Sequence, residues 1–246
     1  MCGRYVLATP VEEILEFLEA TPRDEAVRER APSWNIAPTA EVLGVRVNRE
    51  AERVASNYRW GIVPSWAKDL TLGNKAFNAR AERVAEAPMF RVAFAQRRLL
   101  VPADAYYEWQ ELASGKKQPY AFWRADGAPV VFAGLWESWR AGPEEPLVRS
   151  CAFVTTAASE DIVIHDRMPV VLEPENFDEW LDPDNHDTTR LQRLLVPAPV
   201  GTLSRRAVSS RVSSSRNDGP DLLDPLVDGD GEILEFGQLS LDIGGQ

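Results

Sequence analysis

From Leu99 onward the chain alternates short apolar and aromatic runs with Gly- and Pro-bearing breaks, and this pattern constrains its fold more than any other feature. The runs are Leu99–Ala103, Tyr106–Glu111, Tyr120–Arg124, Val130–Trp136 and Val148–Thr156, and the breaks include Ser114-Gly115, Asp126-Gly127 and Gly142-Pro143. Runs of this length and composition between turn residues read as β-strands. Gly3–Leu7, Glu41–Val47, Arg53–Ile62, Met168–Leu172 and Arg205–Val212 add further strand candidates. Helices are few and short. One begins at Thr9-Pro10-Val11-Glu12, where Thr9 is placed to cap, Pro10 fits the first helical position and Glu12 completes a capping box. Others are expected over Asn78–Ala87 with Asn78 at the cap, Glu175–Leu181 and Thr188–Leu195. Strands in succession, without strict βαβ alternation, predict an α+β fold. Its core is a mainly antiparallel sheet or open β-barrel-like structure with flanking short helices. Trp34–Thr39 reads as an ordered loop, and Pro64–Phe77 as a long, functional one.

The composition suits one folded unit: 44% of the 246 residues are hydrophobic and 26% are charged. One domain over residues 1–220 is expected, as a monomer, followed by an acidic extension over 221–246. No apolar run reaches the roughly 18 residues of a membrane span, and no secretory leader is visible. Two cysteines, Cys2 and Cys151, make no disulfide framework and point to a reducing, cytoplasmic setting. Neither a metal nor a cofactor is expected. The histidines, His165 and His186, stand 21 residues apart with no Cys-x-x-Cys pair, and no Gly-rich phosphate loop occurs, so a nucleotide cofactor has no support. The net charge of −11 argues against a uniformly basic nucleic-acid binder and against an anionic membrane. The charge is uneven, however. Residues 74–98 hold six bases against two acids and 201–216 hold four arginines and no acid, whereas 171–190 hold seven acids against one arginine. A local basic groove is therefore compatible with the total.

Cys2 carries the chemistry. With Met1 removed, one residue would present both an α-amine and a thiol, whose ordinary pKa values are roughly 7.7–8.0 and 8.5. Both would then be partly nucleophilic near neutral pH. Such a pair condenses with an aldehyde: the amine forms an imine, the thiol adds to the same carbon, and a five-membered thiazolidine closes, favoured because the second attack is intramolecular. Taken alone, a cysteine at position 2 more often serves as a small apolar residue opening a strand.

Six segments alter that weighing: Met1-Cys2-Gly3-Arg4-Tyr5, Trp34-Asn35-Ile36-Ala37-Pro38-Thr39, Trp60-Gly61-Ile62-Val63-Pro64-Ser65-Trp66, Phe77-Asn78-Ala79-Arg80-Ala81-Glu82, Tyr106-Tyr107-Glu108-Trp109 and Ile164-His165-Asp166-Arg167-Met168-Pro169. In this order the set resembles the SOS response-associated peptidase family of abasic-site processing proteins, over nearly the whole chain. The resemblance implies recognition of abasic sites in single-stranded DNA, or at a junction with duplex. It also implies a covalent thiazolidine crosslink that shields the lesion, and autoproteolytic removal of the first residue. It casts Cys2 as the nucleophile, Asn78 as the residue positioning its α-amine, Glu108 as the catalytic carboxylate and His165 as the acid/base for sugar ring opening. It casts Arg4, Arg80 and Arg167 as phosphate contacts and Trp66 and Pro38 as base wedges, with Asn35 and Trp109 lining the DNA-binding surface. Each residue also has a plainer reading: Asn78 as a helix cap, Glu108 as a strand-face acid, His165 as a structural hydrogen-bonder and the tryptophans as core. Two positions differ from the family pattern. Ala67 stands where many relatives carry a second aromatic, and Val208–Asn217 carries serines where relatives often have Asn and Lys. Two other functions compete: an N-terminal-cysteine glutamine amidotransferase, which also begins Met-Cys-Gly, and a non-covalent single-stranded DNA-binding module.

Overall fold

A computed structural model of the protein describes residues 2–162 and 164–227. Met1 and most of the acidic extension, residues 228–246, lie outside the described residues. The strands are β1 (Tyr5–Leu7), β2 (Thr21–Pro22), β3 (Ser33–Ile36), β4 (Glu41–Val47), β5 (Arg53–Trp60), β6 (Asn78–Arg80), β7 (Arg98–Ala103), β8 (Ala105–Glu111), β9 (Lys117–Arg124), β10 (Val130–Trp139), β11 (Val148–Ala157), β12 (Arg167–Pro169) and β13 (Leu203–Ala207). The α-helices are short: α1 (Val11–Phe17), α2 (Glu25–Arg28), α3 (Arg91–Gln96), α4 (Phe177–Leu181) and α5 (Thr188–Gln192). The α+β expectation holds, with strands dominant.

Two sheets share the molecule. One runs β13-β9-β8-β1-β3 and is antiparallel throughout. The other runs β12-β11-β10-β7-β4-β5-β2. It closes where β5 also pairs with β11 in parallel, Arg59 facing Ser150 and Trp60 facing Cys151. The core is therefore a closed five-stranded barrel rather than an open one, with β12 and β2 added outside the ring.

Period-two alternation assigns side chains to two cores. Tyr5, Leu7, Tyr106, Tyr120 and Phe122 face the main core, while Val6, Ala105, Tyr107 and Ala121 face a smaller second core with Val208, Val212 and Leu222. The main core is rich in aromatic rings: Trp60 stacks on Phe153 at 4.4 Å, and Tyr5 meets Trp60, Phe132 and Phe153 edge-on. Such pairs each contribute about 0.5–1.5 kcal/mol beyond burial.

Local signals were overridden in four places. Thr9 does not cap α1. Its hydroxyl donates instead to Asp104 Oδ1 (2.7 Å), and Asp104 Oδ2 accepts the N–H groups of Ala8 (2.6 Å) and Thr9 (2.9 Å). Pro10 takes the cap position, without a side-chain bond. Residues 78–87 are not a helix. Asn78–Arg80 is drawn into β6 beside β11, pairing Asn78 with Phe153, and only Ala81–Arg83 coils, as a 3-10 turn. The late strand stops at Ala207, because the Ser209 hydroxyl accepts from Arg211 N–H and starts a 3-10 turn over Ser210–Ser213. Trp34–Ile36, expected within a loop, belongs to β3. Beyond Pro220, Leu222 is buried in the second core and the Leu226 N–H donates to the Ala207 carbonyl. No helix among the described residues is long and apolar enough to cross a membrane.

Candidate functional site

Cys2 precedes β1 and is buried at the top of the aromatic core. Its thiol reaches toward the Arg4 carbonyl at 4.0 Å, and its own carbonyl accepts from Asn78 Nδ2 at 2.7 Å. The pairing of β6 with β11 delivers that amide. Asn78 thus holds the carbonyl of Cys2, while its Oδ1 is buried without a partner.

Glu108 arrives on β8, two residues beyond Tyr106, so both face the main core. At 2% exposure its carboxyl is pushed up to about 7, chiefly by burial. Burial also pushes the Cys2 thiol far up, and the charge of Glu108 adds to that effect. Burial thus favours the neutral sulfur, and Glu108 is an ionisable neighbour whose raised pKa lies near neutrality.

His165 lies in the turn before β12. Its Nδ1 is 3.0 Å from the Arg167 backbone N–H and 2.8 Å from Asp166 Oδ1. The first contact wants a bare nitrogen and the second a protonated one. Burial, the largest influence, lowers the imidazole pKa and favours the neutral ring. Arg167 uses both terminal nitrogens within the fold, donating to the two oxygens of Glu82 (2.6 and 3.0 Å) and to the Thr155 carbonyl (2.6 Å).

The remaining expected residues separate into surface and support. Arg80 is exposed, Trp66 is 61% exposed and Pro38 is half-buried. The loop carrying Trp66 is tied down by Trp139 Nε1, which donates to the Ala67 carbonyl at 2.7 Å. Arg4 is half-buried and donates to the carbonyls of Gly3 (2.9 Å) and Ser213 (3.5 Å). Asn35 is not at the surface. It is buried, and its Nδ2 reaches the carbonyls of Val212, Ser214 and Asn217. Trp109 packs against the second core and donates to Ser213 Oγ at 3.0 Å. Asn35 and Trp109 therefore support the 209–217 segment.

The basic segments are less free than their counts. Arg97 pairs with Glu137, and Arg98 is buried on the carbonyls of Phe94, Ala95, Trp180, Asp182 and Asn185. Arg211 pairs with Asp221. Sequence reasoning gave no role to Glu82 or to the Tyr106 hydroxyl. That hydroxyl is buried without a partner in the electrostatic reach of both Cys2 and Glu108. The only advance sign of either was its membership in the quoted segments.

This constellation, an N-terminal-side cysteine clamped by an asparagine beside a buried carboxyl on a closed barrel, goes with a family match across residues 1–215. The chain belongs to the SOS response associated peptidase (SRAP) family. It is 38% identical to the abasic site processing protein YoqW of Bacillus subtilis, over 91% of this chain and 99% of that one. It is 30% identical to the abasic site processing protein YedK of Escherichia coli, over 92% and 100% of the two chains. A solved protein of Bordetella bronchiseptica superposes with a TM-score of 0.71 at 30% identity, covering 85% of this chain and all of that one. One from Bacteroides thetaiotaomicron shares the fold with a TM-score of 0.80 at 18% identity, over 90% and 98% of the chains.

Proposed function

We propose that this protein processes abasic sites in single-stranded DNA and, once Met1 is removed, joins Cys2 to the lesion as a thiazolidine. The observation that carries the reading is the buried Cys2 thiol beside Glu108, a carboxyl held near neutrality. Names of relatives that specify abasic-site processing support the substrate.

The α-amine adds to the aldehyde carbon of the ring-opened deoxyribose and water leaves, forming an imine. The sulfur then adds to the same carbon, the imine nitrogen takes up a proton and the ring closes, with no oxidant or reductant consumed. Glu108 carries the protons. Its neutral form protonates the departing hydroxyl and its ionised form accepts the thiol proton, and a pKa of about 7 populates both. Asn78 fixes the Cys2 carbonyl, and its vacant Oδ1 is the acceptor for the α-amine. His165 moves a proton between the C1′ hydroxyl and the ring oxygen to open the sugar. Arg4, Arg80 and Arg167 take phosphates, Arg167 by exchanging Glu82 for the DNA. Trp66 and Pro38 meet the flanking bases. The same nucleophile accounts for peptidase action at Met1, and the imine for lyase-type strand chemistry.

Denaturing gels with abasic single-stranded DNA test this. The mature protein gives a heat-stable covalent band and Cys2→Ala gives none. A Cys2→Ala protein that crosslinks as stably as wild type overturns the thiazolidine assignment. Ammonia release from glutamine, with no DNA band, would establish the amidotransferase instead.

A further inference from the structure

A cavity of about 540 Å³ opens where β5 and β11 splay apart on the N-terminal side of their two-residue pairing. Three arginines line it: Arg23 from the turn after β2, Arg59 from β5 and Arg149 from β11. Arg59 is partly spent, donating to Asn74 Oδ1 (2.6 Å) and to the Gly61 carbonyl (3.3 Å). The guanidinium groups of Arg23 and Arg149 have no hydrogen bond or ion pair with any described residue. Arg149 is half-buried and feels the repelling charges of Arg23 and Arg46 as well as the attracting charge of Asp24. Ser56, on the same wall, is 3% exposed, and its hydroxyl has no partner. A buried polar group left unsatisfied calls for an explanation. Asp24 and Glu41 also line the cavity, but three arginines against two acids leave its formal charge positive. Two idle guanidinium forks and a buried hydroxyl form a donor set matched to a tetrahedral oxyanion.

The location suggests its source. Thr39 lines the cavity and directly follows Pro38, and Leu70 lines it from the loop that carries Trp66. Thr39 is held at φ 78, rare for a β-branched residue, with its N–H on the Trp60 carbonyl at 2.7 Å. The cavity thus backs onto the two loops assigned to the bases around the lesion.

We propose that this cavity binds a phosphate group, supplied by the backbone of the DNA strand that leaves the lesion past Pro38 and Trp66. The DNA source rests on the function proposed above; the phosphate chemistry does not. The test is an Arg23→Gln/Arg149→Gln double variant, with Arg23→Lys/Arg149→Lys as the charge-retaining control. Binding is followed by fluorescence anisotropy across a salt series, using a single-stranded oligonucleotide that carries a tetrahydrofuran abasic analogue and extends well beyond it on both sides. The Gln variant is expected to bind about tenfold more weakly at low salt. Its log K against log salt slope should be shallower by about 0.7, the value for one single-strand phosphate. The Lys variant should keep most of the slope, and both should crosslink normally at saturating DNA. Calorimetric titration with inorganic phosphate should show binding to wild type and not to the Gln variant.

An unchanged slope together with Arg-dependent phosphate binding overturns the DNA source. An unchanged slope and no Arg-dependent phosphate binding overturn the site altogether. If wild type fails to bind or crosslink abasic DNA, the proposed function falls, and the phosphate titration alone decides the cavity. An equal unfolding midpoint in the three proteins shows that the variants fold.

Discussion

Glu108 is an acid whose burial raises its pKa from 4.5 to about 7, so the folded protein holds this proton more tightly than the unfolded chain does. Relative to an uncharged amide at the same position, the stability it contributes is full below about pH 4.5 and is lost as pH rises through about 7. Glu108→Gln should therefore gain on wild type across that window, by about 3 kcal/mol in total. Urea denaturation of both proteins over a pH series measures this, and a pH-independent difference would contradict the raised pKa. In the proposed function the same proton serves catalysis. Glu108→Ala should slow adduct formation about 10²–10⁴-fold, the usual weight of general acid–base catalysis, in single-turnover crosslinking. Cys2 and Glu108 stand out in the sequence, one by position and the other by its aromatic neighbours. Their coupling does not, because a pKa depends on burial that only the folded chain creates.

Among the elements, α1 shows how a local signal yields to a tertiary one. Thr9, Pro10 and Glu12 spell a capping box, yet Asp104, between β7 and β8, captures the Ala8 and Thr9 amides and the Thr9 hydroxyl together. A carboxylate offers a charged acceptor that a neutral capping hydroxyl does not match. Asp104→Ala leaves those donors stranded in a half-buried place and should cost about 2–4 kcal/mol, seen as a lower urea midpoint with an unchanged m-value. Thr9→Ala loses one hydroxyl bond and should cost about 1 kcal/mol. The β6 segment makes the same point. Asn78 looks like a cap, but its backbone is taken by β11 and its side chain by Cys2. The strands from β7 to β11 were legible because they are short, largely buried apolar runs, several of them separated by Gly- and Pro-bearing turns, and both signals are local.

For the whole molecule, the net charge of −11 works against long-range attraction to DNA, while the short-range cations are fewer than the sequence counts. Arg97, Arg98, Arg167 and Arg211 are all engaged within the fold. Association with an abasic-analogue strand should accordingly be slower than the steered limit and weakly accelerated at low salt, which stopped-flow anisotropy over a salt series measures. Glu82→Gln, by releasing Arg167, should steepen the salt dependence of binding. The second core reaches past Pro220, so Leu222→Ala should destabilise the entire domain by about 2–4 kcal/mol rather than free a tail. The sequence by itself determined the strand-rich α+β class, the span and order of most β-strands, and the family segments from which the reactive set is proposed, since apolar runs and turn chemistry are local and the quoted segments are contiguous. Only the tertiary structure decided the barrel closure through β5 and β11, the burial that sets the Cys2 and Glu108 proton affinities, and which arginines stay free. Each of those depends on contacts between residues far apart in the chain, where neighbours in space, not neighbours in sequence, fix the energy.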